Sequence, residues 1–282
     1  MPHGQDAGFL GKSLDPFVLG ADPSASDFKV PDLLPPEYVS GVRESRRRSL
    51  REAIDGATRS FEASEDARLL DENFQRAYGL MSSKEAREAF ALDAEPDAMK
   101  DRYGRTRFGQ SCLLARRLIE RGTRFVTVNM FETVFNEITW DIHGSAPFSP
   151  IECYKDEVGP NFDTAYSALI SDLYERGMLE NTMVLAFGEF GRTPKINPAG
   201  GRDHHPACWS VLFAGGPVQG GAVVGASDEI GHAPKDRPVS TAEIAATVFE
   251  GLGIDLDTEL PGPQGRPIRV VDHGVEPIRE LF

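Results

Sequence analysis

"TMVLAFGEFGRTPKINPAGGRDHH", residues Thr182 to His205, begins as an unbroken apolar run and turns at Gly188 into a stretch of acids, bases, glycines and two adjacent histidines. A continuous apolar run of strand length is the pattern of a strand buried on both faces, as parallel sheets have. No single regular element accommodates the residues after Gly188, because glycine and proline interrupt them repeatedly. The stretch therefore predicts a buried strand with a polar loop at its carboxyl end, the place where open α/β sheets bind ligands.

Upstream, Phe162, Ala165, Tyr166, Leu169, Ile170 and Leu173 recur at helical spacing, with Asn161 as the expected cap and Gly177 as the stop. Before that helix, "RFVTVNM" (124–130) is a β-branched run of strand length, followed by a loop that holds "TWDIHG" (139–144). Strand, crossover helix and strand predict the right-handed parallel unit of α/β proteins. "GQSCLLARRLIERG" (109–122) predicts an amphipathic helix with Arg116, Arg117, Glu120 and Arg121 on its polar side and Gly122 closing it. "SSKEAREAF" (82–90) predicts a short helix capped by Ser82 or Ser83, and apolar residues at 50, 54, 57 and 61 line one face of a helical region between 42 and 81.

Downstream, "WSVLFAGG", "GAVVGASD" and "GRPIRVVDHG" predict short strands, and "VSTAEIAATVFEGLG" a helix with a capping box between Ser240 and Glu243. The expected organisation is an extended Pro/Gly/Asp-rich segment (1–40), a helical region (41–122) and an α/β core carrying the polar loops (123–282), together one domain. No convincing strand precedes residue 124, where doubly wound folds usually open with one, so the expectation is either a helical cap over the first third or a chain that starts partway through a larger domain.

The 282 residues carry a formal charge of −14 and a pI near 4.9, so nucleic acid phosphates meet net repulsion. Nucleic acid is excluded as an expected partner. Cys112, Cys153 and Cys208 are odd in number and far apart, which encodes neither a disulfide framework nor a zinc knuckle. The first residues lack a basic segment followed by an apolar run, and no apolar stretch reaches membrane-spanning length.

The chemistry concentrates after the two central strands. The loop after 124–130 holds Asp141 and His143; the loop after 182–188 holds Glu189, Arg192, Lys195, Arg202, Asp203, His204 and His205. Carboxylate mixed with imidazole suits borderline divalent ions such as zinc, manganese or iron. An isolated Asp-x-His is more often a surface pair, and adjacent histidines point apart in extended backbone, so only one of His204 and His205 faces a shared ion. Arginine's planar fork fits tetrahedral oxyanions, which makes phosphate or sulfate esters the expected substrates of Arg192 and Arg202. The competing reading has these arginines neutralise Glu189 and Asp203. "AGGPVQGGAVVG" lacks nucleotide-loop spacing and reads as a turn, no GxSxG elbow is present, and His3, His232 and His273 read as loop histidines.

"YGRTRFGQSCLLARRLIERGTRFVTV", "WDIHG", "LISDLYERGMLENTMVLAFGEFGRTPKIN", "GRDHH" and "GASDEIGHAPKDRPVSTAEIAATVFEGLGID" together resemble the domain of unknown function 1501, a branch of the alkaline phosphatase and sulfatase superfamily. The resemblance covers nearly the whole chain. It implies a parallel three-layer α/β sandwich with one or two divalent ions at the strand ends, zinc, manganese, iron or calcium. It places Asp141, His143 and His204 on one ion and Glu189 on a second, with Phe190 where that second site has a histidine. It implies hydrolysis of phosphate or sulfate esters, small molecules or glycans; the alternative is a non-catalytic surface or scaffolding protein that keeps the fold, or an inactive fragment. It also implies a longer protein with an upstream first strand, a further metal loop and often an export signal. The expectation is therefore an N-terminally incomplete sandwich, its nucleophile outside the chain, with a bare sheet edge that favours self-association.

Overall fold

The computed structural model describes residues 6–11, 14–30, 42–43, 45–47, 49–50, 52, 83–131 and 137–282. The chain divides into two compact units, Met1–Glu95 and Pro96–Phe282.

In the first unit, the described residues between 42 and 52 are helical, while the rest of the helical region expected up to Met81 lies outside the described residues. Helix α1 (Lys84–Phe90) starts at Ser83, whose hydroxyl accepts the Ala86 amide at 3.0 Å. That bond satisfies one of the amides a helix start leaves unpaired. Ser82 lies outside the described residues.

The second unit opens with three helices, α2 (Asp97–Tyr103), α3 (Arg107–Glu120) and α4 (Gly159–Glu175), packed against one another. Leu113, Leu114, Ala165, Ala168 and Leu173 are buried between them. Each leucine so buried contributes about 1.5–3 kcal/mol. Arg116 and Arg117 are buried too, against the polar face the spacing assigned them. The reason for Arg116 is a buried acid on α4: its Nε lies 2.9 Å from Asp172 Oδ2, to which the Tyr103 hydroxyl also donates at 2.9 Å. Arg176 Nε binds the other Asp172 oxygen at 2.7 Å. The start of α4 also differs from expectation. A wide turn at Tyr154–Val158 runs straight into Gly159, so Asn161 is inside the helix and accepts the hydroxyl of Thr106, the N-cap of α3.

Among the described residues the remainder of the chain carries eight short strands: β1 (Val184–Ala186), β2 (Gly191–Arg192), β3 (His204–His205), β4 (Leu212–Ala214), β5 (Ala226–Ser227), β6 (Pro234–Asp236), β7 (Glu259–Pro261) and β8 (Pro267–Arg269). They pair as four two-stranded antiparallel sheets, β1 with β4, β2 with β3, β5 with β6 and β7 with β8. The fold is mixed α/β, and the expected parallel sandwich does not form among the described residues. Two departures account for this. Residues 124–130 take no strand pairing; Phe125 is 70% exposed and only Val126, Val128 and Met130 are half-buried. β1 finds its partner downstream, with Leu185 opposite Phe213, because the β2–β3 hairpin returns the chain beside it.

Helix α5 (Thr241–Gly251) carries the expected capping box, with the Ser240 hydroxyl accepting the Glu243 amide and the Glu243 carboxylate accepting the Ser240 amide. Thr247 is buried inside it and accepts the Ile278 amide at 2.9 Å, which ties the C-terminal segment to the helix. Among the described residues no helix is long and apolar enough to cross a membrane.

Candidate metal centre

The "TWDIHG" segment is held as a closed loop. Ser149 donates its amide to the Asp141 carbonyl at 3.2 Å, and the Gly144 amide donates back to the Ser149 carbonyl at 3.0 Å. Ile142 is fully buried between Asp141 and His143. In extended backbone, neighbours on either side of a buried residue share the opposite face, so burying Ile142 turns both polar side chains one way.

The second loop is a hairpin. Arg192 pairs with His204 and Gly191 with His205 in the β2–β3 ladder. The Thr193 amide donates to the Asp203 carbonyl at 2.9 Å and the Asn197 amide to the Gly201 carbonyl at 2.8 Å, which close its tip.

The two loops touch through backbone. The Arg202 amide donates to the Ile142 carbonyl at 2.7 Å, and the Ile151 amide to the Gly200 carbonyl at 3.0 Å. Gly144 and Gly201 make the approach possible: a Cβ on Gly144 collides with the Ala199 carbonyl, and one on Gly201 with the Ile142 carbonyl. Gly144 also has φ +93°, which favours glycine by itself.

This packing brings Asp141, His143 and His204 together, with one ligand atom from each lying within 4.8 Å of the others. The His143 and His204 rings are 4.8 Å apart between centroids. Phe148 lies against the first at 4.7 Å, and Phe190 against the second at 4.3 Å. Asp141 Oδ1 and His143 Nδ1 are sealed from solvent and face each other without a regular hydrogen bond. Buried polar atoms in a native fold have partners; Asp141 Oδ1 has the Arg192 guanidinium at 3.2 Å, and a cation shared with His204 would serve Asp141 and His143 together. One carboxylate and two imidazoles suit a borderline divalent ion such as zinc, manganese or iron better than calcium. The residues fit the group.

The family model described as "Protein of unknown function (DUF1501)" matches residues 1–282. The chain belongs to the DUF1501 family. No curated protein and no solved structure matches it.

In this DUF1501 chain the other expected site residues are placed as follows. Arg192 lies beside the cluster, its Nη1 3.2 Å from Asp141 Oδ1 and 3.5 Å from His143 Nε2. Its guanidinium carbon also sits 5.7 Å from the Phe190 ring centre. Arg202 is half-buried, with a Nε that is sealed from solvent and has no hydrogen-bond partner among the described residues. Glu189 is exposed and stands outside the three-residue group. His205 faces away, as the alternation of extended backbone requires: its Nε2 is 2.6 Å from the His232 carbonyl and its ring 4.9 Å from the His232 ring. His232 is an exposed loop residue, as read from the sequence, with the His205 ring beside it.

Three contributors escape the sequence pattern of this DUF1501 chain. Tyr154 donates its hydroxyl to the Trp140 carbonyl at 2.9 Å, next to Asp141. Burial raises its pKa above the usual phenol range, opposed by the charges of Arg192 and Arg202 and reinforced by Asp141 and Glu189. Phe148 walls the His143 ring, and Asn197 bridges the two loops. The turn signal "NPAGG" points to a bend at Asn197 but not to its partners.

Proposed function

We propose that Asp141, His143 and His204 hold one divalent ion at a site that hydrolyses phosphate or sulfate esters, in the manner of the alkaline phosphatase and sulfatase superfamily. The observation that carries this reading is the convergence of a carboxylate and two imidazoles from separate loops within 4.8 Å. The reading rests on that donor set and its flanking arginines, and needs no parallel sheet. When bound, the ion supplies Lewis acidity to an ester oxygen and lowers the pKa of water.

The chain's own residues supply the rest. Arg192 and Arg202 present guanidinium groups to an anionic ester and balance charge that builds on the transferred group. Tyr154 keeps its proton, so it adds no negative charge beside the anion. Phe148 and Phe190 flank the imidazoles and limit their rotation. With Glu189 exposed and the Phe190 ring tilted against His204, the arrangement favours one ion over two. That same feature favours a second reading, a non-catalytic protein whose ion only fixes the two loops.

Metal analysis after reconstitution with zinc, manganese or iron tests the site, and a panel of phosphate monoesters, diesters and sulfate esters tests turnover. The proposal expects about one equivalent of ion, lost in His204→Ala and kept in His205→Ala. Less than a tenth of an equivalent in the intact chain removes the hydrolase reading. Tight binding with no turnover on any ester supports the structural one.

A further inference from the structure

Asn197 uses every hydrogen-bonding position of its side-chain amide, and it spends them across both loops. Its Nδ2 donates to the His143 carbonyl at 3.1 Å and to Asp203 Oδ1 at 2.9 Å. Its Oδ1 accepts the amides of Ala199 and Gly201, both at 3.0 Å. An amide offers two donors and two lone pairs, so nothing is left over. The orientation is fixed by its neighbours: rotating the amide by half a turn sets its oxygen against a carbonyl and a carboxylate, and its NH2 against two N–H groups.

The partners matter more than their number. His143 is a member of the metal cluster, and Asp203 immediately precedes another member, His204. Gly201 lies where the two loops meet too closely for a side chain. One side chain thus spans the backbone of one ligand, the residue next to a second, and the contact between their loops.

We propose that Asn197 is the positioning residue of the metal centre, a clamp that sets the distance between His143 and His204 before an ion arrives. This rests on the reading that the cluster holds an ion. The clamp acts through the ligands and touches neither ion nor substrate. Residues that orient metal ligands in this way change affinity by roughly 10- to 100-fold when they are altered.

Asn197→Asp isolates the donor half. It keeps the oxygen that holds Ala199 and Gly201, and it replaces the NH2 that holds His143 and Asp203. A carboxylate added near a cation site tightens binding if charge alone matters, whereas a lost clamp weakens it, so the two effects have opposite signs. Zinc(II) affinity measured by competition with a chromophoric chelator is expected to fall roughly 10- to 100-fold in Asn197→Asp, with a native circular dichroism spectrum. A folded variant that binds zinc as tightly as the parent, or tighter, overturns the proposal.

A second measurement on the unaltered protein does not depend on how the variant folds. Coupling between two equilibria is reciprocal, so an ion that relies on the clamp must also stabilise it. Zinc should slow hydrogen exchange at the Ala199 and Gly201 amides; unchanged exchange at saturating zinc overturns the clamp while leaving the metal site standing. Failure of the parent protein to bind zinc, manganese or iron is a separate result, and removes the centre and its clamp together.

Discussion

Arg192 and His204 stand opposite each other in the β2–β3 ladder, and the same Arg192 guanidinium lies 3.2 Å from Asp141 Oδ1. A fixed positive charge is thus built into the edge of a site suited to a cation. The two requirements conflict for the ion and agree for an anionic ester. Two unit charges about 4 Å apart interact by about 4 kcal/mol at an effective dielectric of about 20, so the conflict is measurable even after relaxation. Arg192→Gln should tighten zinc binding by about tenfold, or about 1.4 kcal/mol, and weaken inhibition by inorganic phosphate. Chelator competition and phosphate inhibition curves read the two effects, and a variant that loses both affinities shows Arg192 to be structural.

Gly201 tests the closeness of the loops. A methyl there meets the Ile142 carbonyl and the Gly144 amide, backbone atoms that cannot rotate away. Overpacking of this kind costs about 1–3 kcal/mol. Gly201→Ala should lower the urea midpoint accordingly and weaken zinc binding. Gly220, where a methyl would meet nothing within 4 Å, is the control, and Gly220→Ala should leave both unchanged. Equal midpoints for the two variants show that the loops part without cost.

Asp172 carries the helical layer's polar core. It is 1% exposed and receives Arg116, Arg176 and the Tyr103 hydroxyl. Burial, then the charge of Asp172, pushes the Tyr103 pKa far above the phenol range, so this tyrosine stays neutral and donating. Removing one partner of a buried pair strands the other and costs about 3–5 kcal/mol. Asp172→Ala is expected to lose that much by urea unfolding. Glu175→Ala, which removes the exposed partner of Arg102, should lose far less.

The division between legible and illegible features runs along physical lines. Local signals agree with the structure: the Ser83 cap, the Ser240–Glu243 box and Gly177 at φ +65° all depend on residues within one turn. The grouping of Asp141, His143 and His204 is legible in part: two residues two apart in one loop can turn to one point, and alternation lets only one of His204 and His205 face it, but not which one. Pairing is not legible. "RFVTVNM" has strand composition, but composition names no partner, and β1 takes β4 on its antiparallel side. Arg116 departs from its expected polar face for a related reason, since the acid that draws it inward lies on another helix. Asn197 reads as turn punctuation because its role consists of contacts reaching to His143.

Arg237 provides a test by pH. Its Nε and Nη2 donate to the two oxygens of Glu280 at 2.6 and 3.1 Å, and its Nη1 donates to Glu243 at 2.7 Å. The Arg237 hydrogen bonds hold the Glu280 carboxyl down at about 2, below its ordinary 4.5. Glu243 is lowered as well, first by the Ser240 amide and then by Arg237. A carboxyl depressed in the folded state stabilises the fold above its unfolded pKa, and that contribution disappears as pH falls through the folded value. Stability from these contacts is therefore complete at neutral pH and lost between about 4.5 and about 2. Arg237→Gln should melt below the parent at pH 7, and the gap should close across that acidic window. All groups are near the surface, so salt should narrow the gap at pH 7 as well. A gap that stays constant from neutral to acidic pH assigns Arg237 a packing role and removes the charge argument.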